Sequence, residues 1–130
     1  MRAVARRTDG YTHEVEIEGG HTLVFDEPLD QGGNDRGPSP TRTTAAALAA
    51  CTAITVEMYA TRKEWDLGDL EVEVDYELDP KATSRFDVLL KLPAALSDEQ
   101  VEALRVIAAK CPVHRVLLGD VEITDRIERV

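Results

Sequence analysis

The stretch from Gly37 to Lys63, GPSPTRTTAAALAACTAITVEMYATRK, limits most strongly what this chain can become. It predicts one long helix. Ser39 is a good N-cap, because its hydroxyl can accept from an orphan amide at the helix start. Pro40 then falls at the first helical position, where a missing N–H costs nothing. Six of the ten residues from Ala45 to Ile54 are alanine, which favours helix and leaves a surface that another backbone can approach closely. Thr44, Leu48, Cys51, Thr55 and Met58 recur at helical spacing and are expected to share one face. The centre of the helix is therefore a close-packing surface with a thiol in it.

The flanking segments alternate between strand and helix patterns. Residues 2–7 and 11–18 read as strands. His13 to Glu18 alternates polar and apolar, the period of a half-buried strand. Asp9-Gly10 is a hairpin turn signal, Gly19-Gly20 a second turn, and His21 to Phe25 a third strand. Asp26 to Gly37 is rich in Gly, Asp, Asn and Pro, which favour turns; it holds no phosphate-binding glycine pattern. Beyond the helix, Leu70 to Leu78 alternates apolar and acidic residues, giving a strand with one wet face. Arg85 to Leu92 closes a hairpin with it. Ser97 with Gln100 forms a capping box, with Leu96 and Val101 placed as a staple. Val101, Leu104, Ile107 and Ala108 make the stripe of the helix that follows. Pro112 to Leu117 is a short third helix ended by Gly119, and Val121 to Ile127 a last alternating strand. Strands, helix, two strands, helix, strand is an α+β order with antiparallel sheets, expected as a single domain over residues 1–130.

Composition excludes several functions. The net charge is −10, which argues against nucleic acid, whose phosphates need a basic surface, and against anionic lipid. No signal peptide is evident. No run of about eighteen apolar residues appears, so a membrane span is not expected. A cytoplasmic location follows as the default, and there two cysteines are expected to be reduced.

Those cysteines are the candidate chemistry. Cys51 sits mid-helix among alanines. Burial there raises a thiol pKa, so reactivity would need a cation nearby. Without one, Cys51 is a small core residue. Cys111 is locally better placed. With Pro112 at the first helical position, Cys111 is an N-cap, where amides and the helix dipole favour a thiolate. Lys110, His114 and Arg115 add positive charge within a turn. No metal is expected, since the cysteines stand sixty residues apart with no C-x-x-C. A Cys111–His114 acyl-transfer pair is conceivable, but i,i+3 spacing alone is a poor signal.

With these residues in view, the chain resembles the OsmC/Ohr family, the osmotically induced protein C and organic hydroperoxide resistance proteins. The resemblance rests on Gly33, the Gly37-Pro38-Ser39-Pro40 entry, Ala46 to Ile54 around Cys51, Met58-Tyr59-Ala60, Arg62-Lys63 and Trp65. It continues through Leu96-Ser97 and Lys110-Cys111-Pro112-Val113-His114. It implies an intertwined homodimer with the cysteine helix at the centre and a pocket at the dimer interface. It further implies a stress-response antioxidant enzyme: a peroxidase acting on organic hydroperoxides through a redox-active disulfide. By motif position Cys51 matches the peroxidatic cysteine and Cys111 the resolving one, with an external dithiol as reductant and no cofactor.

One position departs from the family pattern. Family reductases carry a glutamate right after the helix-opening proline, where this chain has Thr41. That glutamate pairs with an arginine contacting the reactive thiolate; Arg7 is a possible equivalent, with Arg36 and Arg42 as others. The departure keeps a second reading open: a non-catalytic OsmC-like protein that binds a small apolar ligand at the dimer interface.

Overall fold

The computed structural model describes all 130 residues, which form two compact units, Met1–Ala46 and Ala47–Val130. The first unit opens with strands β1 (Ala3–Asp9), β2 (Thr12–Ile17) and β3 (His21–Phe25), paired antiparallel in that order. Gly10, with φ of +54°, makes the first turn, a backbone region that favours glycine. The register sets Ala5 opposite Val15 and Val15 opposite Leu23, so one face is apolar. Glu14 and Glu16 stand on the other, where Arg6 reaches Glu16 at 3.0 Å.

The loop after β3 is ordered by Asp26, a buried carboxylate. Its oxygens accept from Thr12 Oγ1 at 2.8 Å and from the backbone N–H groups of Glu27 at 2.8 Å and Arg36 at 3.3 Å. Burial pushes this carboxyl up, but the Thr12 hydroxyl and the backbone N–H groups outweigh it and hold the group below the usual carboxylate range. The stability this contributes is present above the unfolded carboxylate pKa and is lost as pH falls through the lower folded one.

Two glycines let the loop fold back tightly. A Cβ on Gly33 would lie 1.9 Å from the carbonyl oxygen of Glu27, and one on Gly37 would lie 2.2 Å from that of Val24. Both obstacles are backbone, so no rotamer change relieves them. Gly33→Ala is expected to destabilise by about 3 kcal/mol, a fall of roughly 10 °C in Tm by calorimetry. A variant melting with the wild type would mean that this close approach does not exist.

The long helix, α1, runs Pro40–Arg62. Ser39 caps it as the sequence predicts: Arg42 N–H donates to its Oγ at 3.4 Å, and Thr43 N–H to its carbonyl at 3.0 Å. The buried face differs from the expected stripe. Leu48, Thr52, Val56 and Ala60 are buried, while Met58 is 58% exposed. Alanine and threonine surround the helix on all sides, so its sequence does not mark one face strongly. By length and composition alone α1 could cross a membrane, despite lacking an unbroken apolar run; only 22% of its most apolar window is buried.

In the second unit, β4 (Glu71–Glu77) pairs with β5 (Arg85–Lys91). Val72, Val74 and Tyr76 face Leu90, Val88 and Phe86, with Tyr76 and Phe86 stacked at 4.1 Å. Helix α2 (Asp98–Ala108) begins with the predicted capping box complete in both directions. Val56 and Ala60 of α1 form the core with Leu67 and with Leu104 and Ala108 of α2. Val101, expected in that stripe, is largely exposed. Helix α3 (Pro112–Leu118) follows with Cys111 as its N-cap.

The expected last strand is not formed. Residues 120–130 carry no ladder, and Ile123 and Ile127 are exposed. Their alternating pattern is real, but a strand also needs a neighbouring edge to pair with, and the chain pairs none of its own edges with this segment.

Candidate functional site: the Cys51–Cys111 pair

Cys51 stands in the middle of α1, and Cys111 caps α3. Both are free thiols, Cys51 half-buried and Cys111 fully buried. The fold brings their side chains near one another. Pro112 starts α3 at once and makes Cys111 its N-cap, though the thiol makes no capping hydrogen bond.

The two thiols are driven apart in acidity. Burial pushes Cys51 up, and donating its proton to Cys111 pushes it further. The Val113 N–H and the Thr55 hydroxyl act weakly the other way. Cys111 moves in the opposite sense. Burial would raise it, but the Cys51 thiol, the N–H groups of His114 and Val113, and the Thr52 hydroxyl together hold it below the usual thiol range. Cys111 is therefore the more acidic thiol of the pair. This is the order that the N-cap position led the sequence to suggest, though by a different route. The groups responsible are amides, a hydroxyl and a thiol, rather than the side chains of Lys110, His114 or Arg115.

Of the expected supporting residues, His114 stands in the first turn of the helix that Cys111 caps. Arg7, Arg36 and Thr41 belong to the N-terminal unit. There Arg36 lies 4.0 Å from Asp9, and Thr41 Oγ1 is 3.3 Å from Ser39 Oγ. Thr52 and Thr55 were not foreseen. Helical geometry held the clue, since Thr55 is one turn from Cys51 and Thr52 is its neighbour. No three His, Cys, Asp or Glu side chains are grouped as a metal site would need.

Each unit also carries an apolar recess. One, of about 660 Å³, lies along α1 and is lined by Ile54, Met58, Thr61 and Leu70 among others. The other, of about 470 Å³, lies on the β1–β3 sheet between Tyr11, His13, Val15 and Phe25.

Comparison with solved structures finds the same fold repeatedly. An OsmC-like protein from Mycoplasma pneumoniae superposes with a TM-score of 0.75 at 17% identity, over 91% of this chain and 86% of that one. An organic hydroperoxide resistance protein, OsmC, from Legionella pneumophila gives 0.63 at 24% identity, over 92% and 90%. An organic hydroperoxide resistance protein from Elizabethkingia anophelis gives 0.64 at 21%, over 94% and 91%. No curated protein sequence matches. The sequence profile described as OsmC-like protein matches residues 32–125, a span that runs from the glycine loop through both cysteines. The α+β fold, the long cysteine helix and that profile together make this chain a member of the OsmC-like protein family.

Proposed function

We propose that the protein is a thiol peroxidase that reduces organic hydroperoxides, with Cys51 attacking and Cys111 resolving. The observation that carries this reading is the meeting of the two sulfurs across sixty residues of chain. The naming of two structural relatives as organic hydroperoxide resistance proteins supports it. Cys51 is the more accessible sulfur, which suits it to meet a substrate. Its thiolate attacks the outer peroxide oxygen, the O–O bond breaks, and the alcohol leaves with a proton. Cys51 is then a sulfenic acid. Cys111 attacks that sulfur, water departs, and a disulfide remains. An external dithiol returns two electrons and two protons. A reducing cytoplasm is the compartment in which such a pair would be recycled.

The thiolate on Cys51 needs a cation, because burial pushes that thiol up. Arg7 and Arg36 are the candidates, and Thr41 is the residue expected to hold the chosen one. A carboxylate would hold it through a charge-assisted pair more firmly than a hydroxyl can. Thr41→Glu is therefore expected to raise dithiothreitol-supported turnover of cumene hydroperoxide about fivefold, the effect of ~1 kcal/mol. An unchanged or lower rate would mean that this position does not set the arginine.

The apolar recess along α1 favours one other reading, a protein that binds a small apolar ligand without chemistry. Iodoacetamide at neutral pH separates the two. An activated Cys51 alkylates quickly, whereas a core cysteine does not.

A further inference from the structure

The recess on the β1–β3 sheet belongs wholly to the first unit, and the thiol chemistry does not use it. Strand pairing builds it. Ala5 stands opposite Val15, and His13 opposite Phe25. Paired residues share a face, and so do residues two apart on one strand, so all four lie on the apolar side of the sheet. Tyr11 and Pro40 add to the lining. The walls are set before any ligand arrives. A Cβ on Gly32 would sit 3.4 Å from Cε2 of Tyr11, so the glycine loop lies against that ring. Beside Phe25, Asp26 is fixed by the Thr12 hydroxyl at 2.8 Å and by the N–H groups of Glu27 and Arg36. A volume of about 470 Å³ falls within the roughly 300–1,000 Å³ of small-molecule sites.

The polar atoms select the ligand. His13 Nδ1 lies 2.8 Å from the carbonyl oxygen of Tyr11. A carbonyl oxygen only accepts, so Nδ1 carries the proton. In the neutral ring Nε2 then keeps a lone pair that no group of the chain uses. The Asp26 carboxylate is already taken up by Thr12 and the backbone. Glu27 is the second acid in the lining, and no Lys or Arg lines the recess; Arg7, opposite His13 in register, stands outside it. An anion would lose its hydration there beside two carboxylates. We propose that this recess binds a small neutral aromatic alcohol, its ring against Tyr11 and Phe25 and its O–H donating to Nε2 of His13. No covalent step occurs and neither cysteine takes part, so the site is independent of the peroxidase reading.

Four probes share one ring and a two-carbon chain: 2-phenylethanol, ethylbenzene, phenylacetate and 2-phenylethylammonium. Each is titrated by NMR into reduced, ¹⁵N-labelled protein at pH about 8, where an ordinary imidazole is neutral. 2-Phenylethanol is expected to saturate with a Kd of about 1 mM or tighter and to shift the amides of Tyr11, Val15 and Phe25. The His13 Nε2 resonance should move upfield as that atom accepts a hydrogen bond, and ethylbenzene should leave it in place. Phenylacetate is expected to bind at least about tenfold more weakly than the alcohol. His13→Phe keeps an apolar ring and removes the acceptor. It should weaken 2-phenylethanol about tenfold while leaving ethylbenzene within about twofold. Equal losses for both, or none for the alcohol, overturn the proposal. Tighter binding of phenylacetate or of 2-phenylethylammonium than of the alcohol overturns it, because charge would then govern the site. Shifts confined to Ile54 and Met58 on α1, or no saturable shift, overturn it as well. If His13→Phe does not fold, the Nε2 resonance of the wild type decides alone. Peroxide consumption without alcohol binding would sink this site and leave the peroxidase reading standing. Alcohol binding by a protein whose thiols ignore peroxide would support the site and sink that reading.

Discussion

Adding one equivalent of an organic hydroperoxide to reduced protein is expected to leave a product two hydrogens lighter, with the Cys51 peptide joined to the Cys111 peptide. A disulfide needs Cα atoms roughly 4.4–6.8 Å apart, and side chains already close to one another are in the right neighbourhood. The two cysteines are asymmetric, so single substitutions are expected to behave differently. Cys51→Ser removes the accessible sulfur and should cut peroxide consumption by about a hundredfold or more, leaving Cys111 enclosed and unreactive. Cys111→Ser keeps the attacking sulfur but removes the resolving one. It should stop at sulfenic acid and pass to sulfinic acid with excess peroxide. Intact-mass spectrometry distinguishes these products directly. Both thiols remaining free after stoichiometric peroxide would end the peroxidase reading in favour of ligand binding.

Light scattering at micromolar concentration is expected to return twice the 14.3 kDa of one chain. The chain exposes 10334 Å². A folded monomer of its mass exposes about 6,800 Å² by the usual scaling. The excess, about 3,500 Å² on one chain, is larger than the roughly 800 Å² per partner of a standard interface. Much of the uncovered surface is apolar. It includes Ile54 and Met58 on α1 and Ile123 and Ile127 near the C-terminus. A second copy is the cover that matches this excess without a membrane. The net charge of −10 disfavours the anionic lipid surface that α1 would otherwise approach. A scattering mass equal to one chain would refute the dimer, and an absorbance melt independent of protein concentration would argue the same way.

Much of the fold was legible in the residues themselves because it follows from local chemistry. Ser39 and Pro40 start α1 through capping and a tolerated missing N–H. Ser97 and Gln100 start α2 by exchanging side-chain and backbone bonds. Asp9-Gly10 closes the first hairpin because glycine accepts a positive φ. Cys111 before Pro112 is an N-cap for the same local reason, so its lowered pKa was readable in outline. What the residues did not reveal depends on partners far away in sequence. Which face of α1 is buried was undetermined, because alanine and threonine fit either side. The structure buries Leu48, Thr52, Val56 and Ala60, the last two against Leu67 and against Leu104 and Ala108 of α2. The buried carboxylate of Asp26 needed Thr12, from a strand fourteen residues earlier, to become a partnered group. Val121 to Ile127 alternates as a strand should, yet alternation specifies only a face and not the edge to pair with. The meeting of Cys51 and Cys111 required two helices to be set side by side. Such a contact is a property of packing, which no local pattern in either helix encodes.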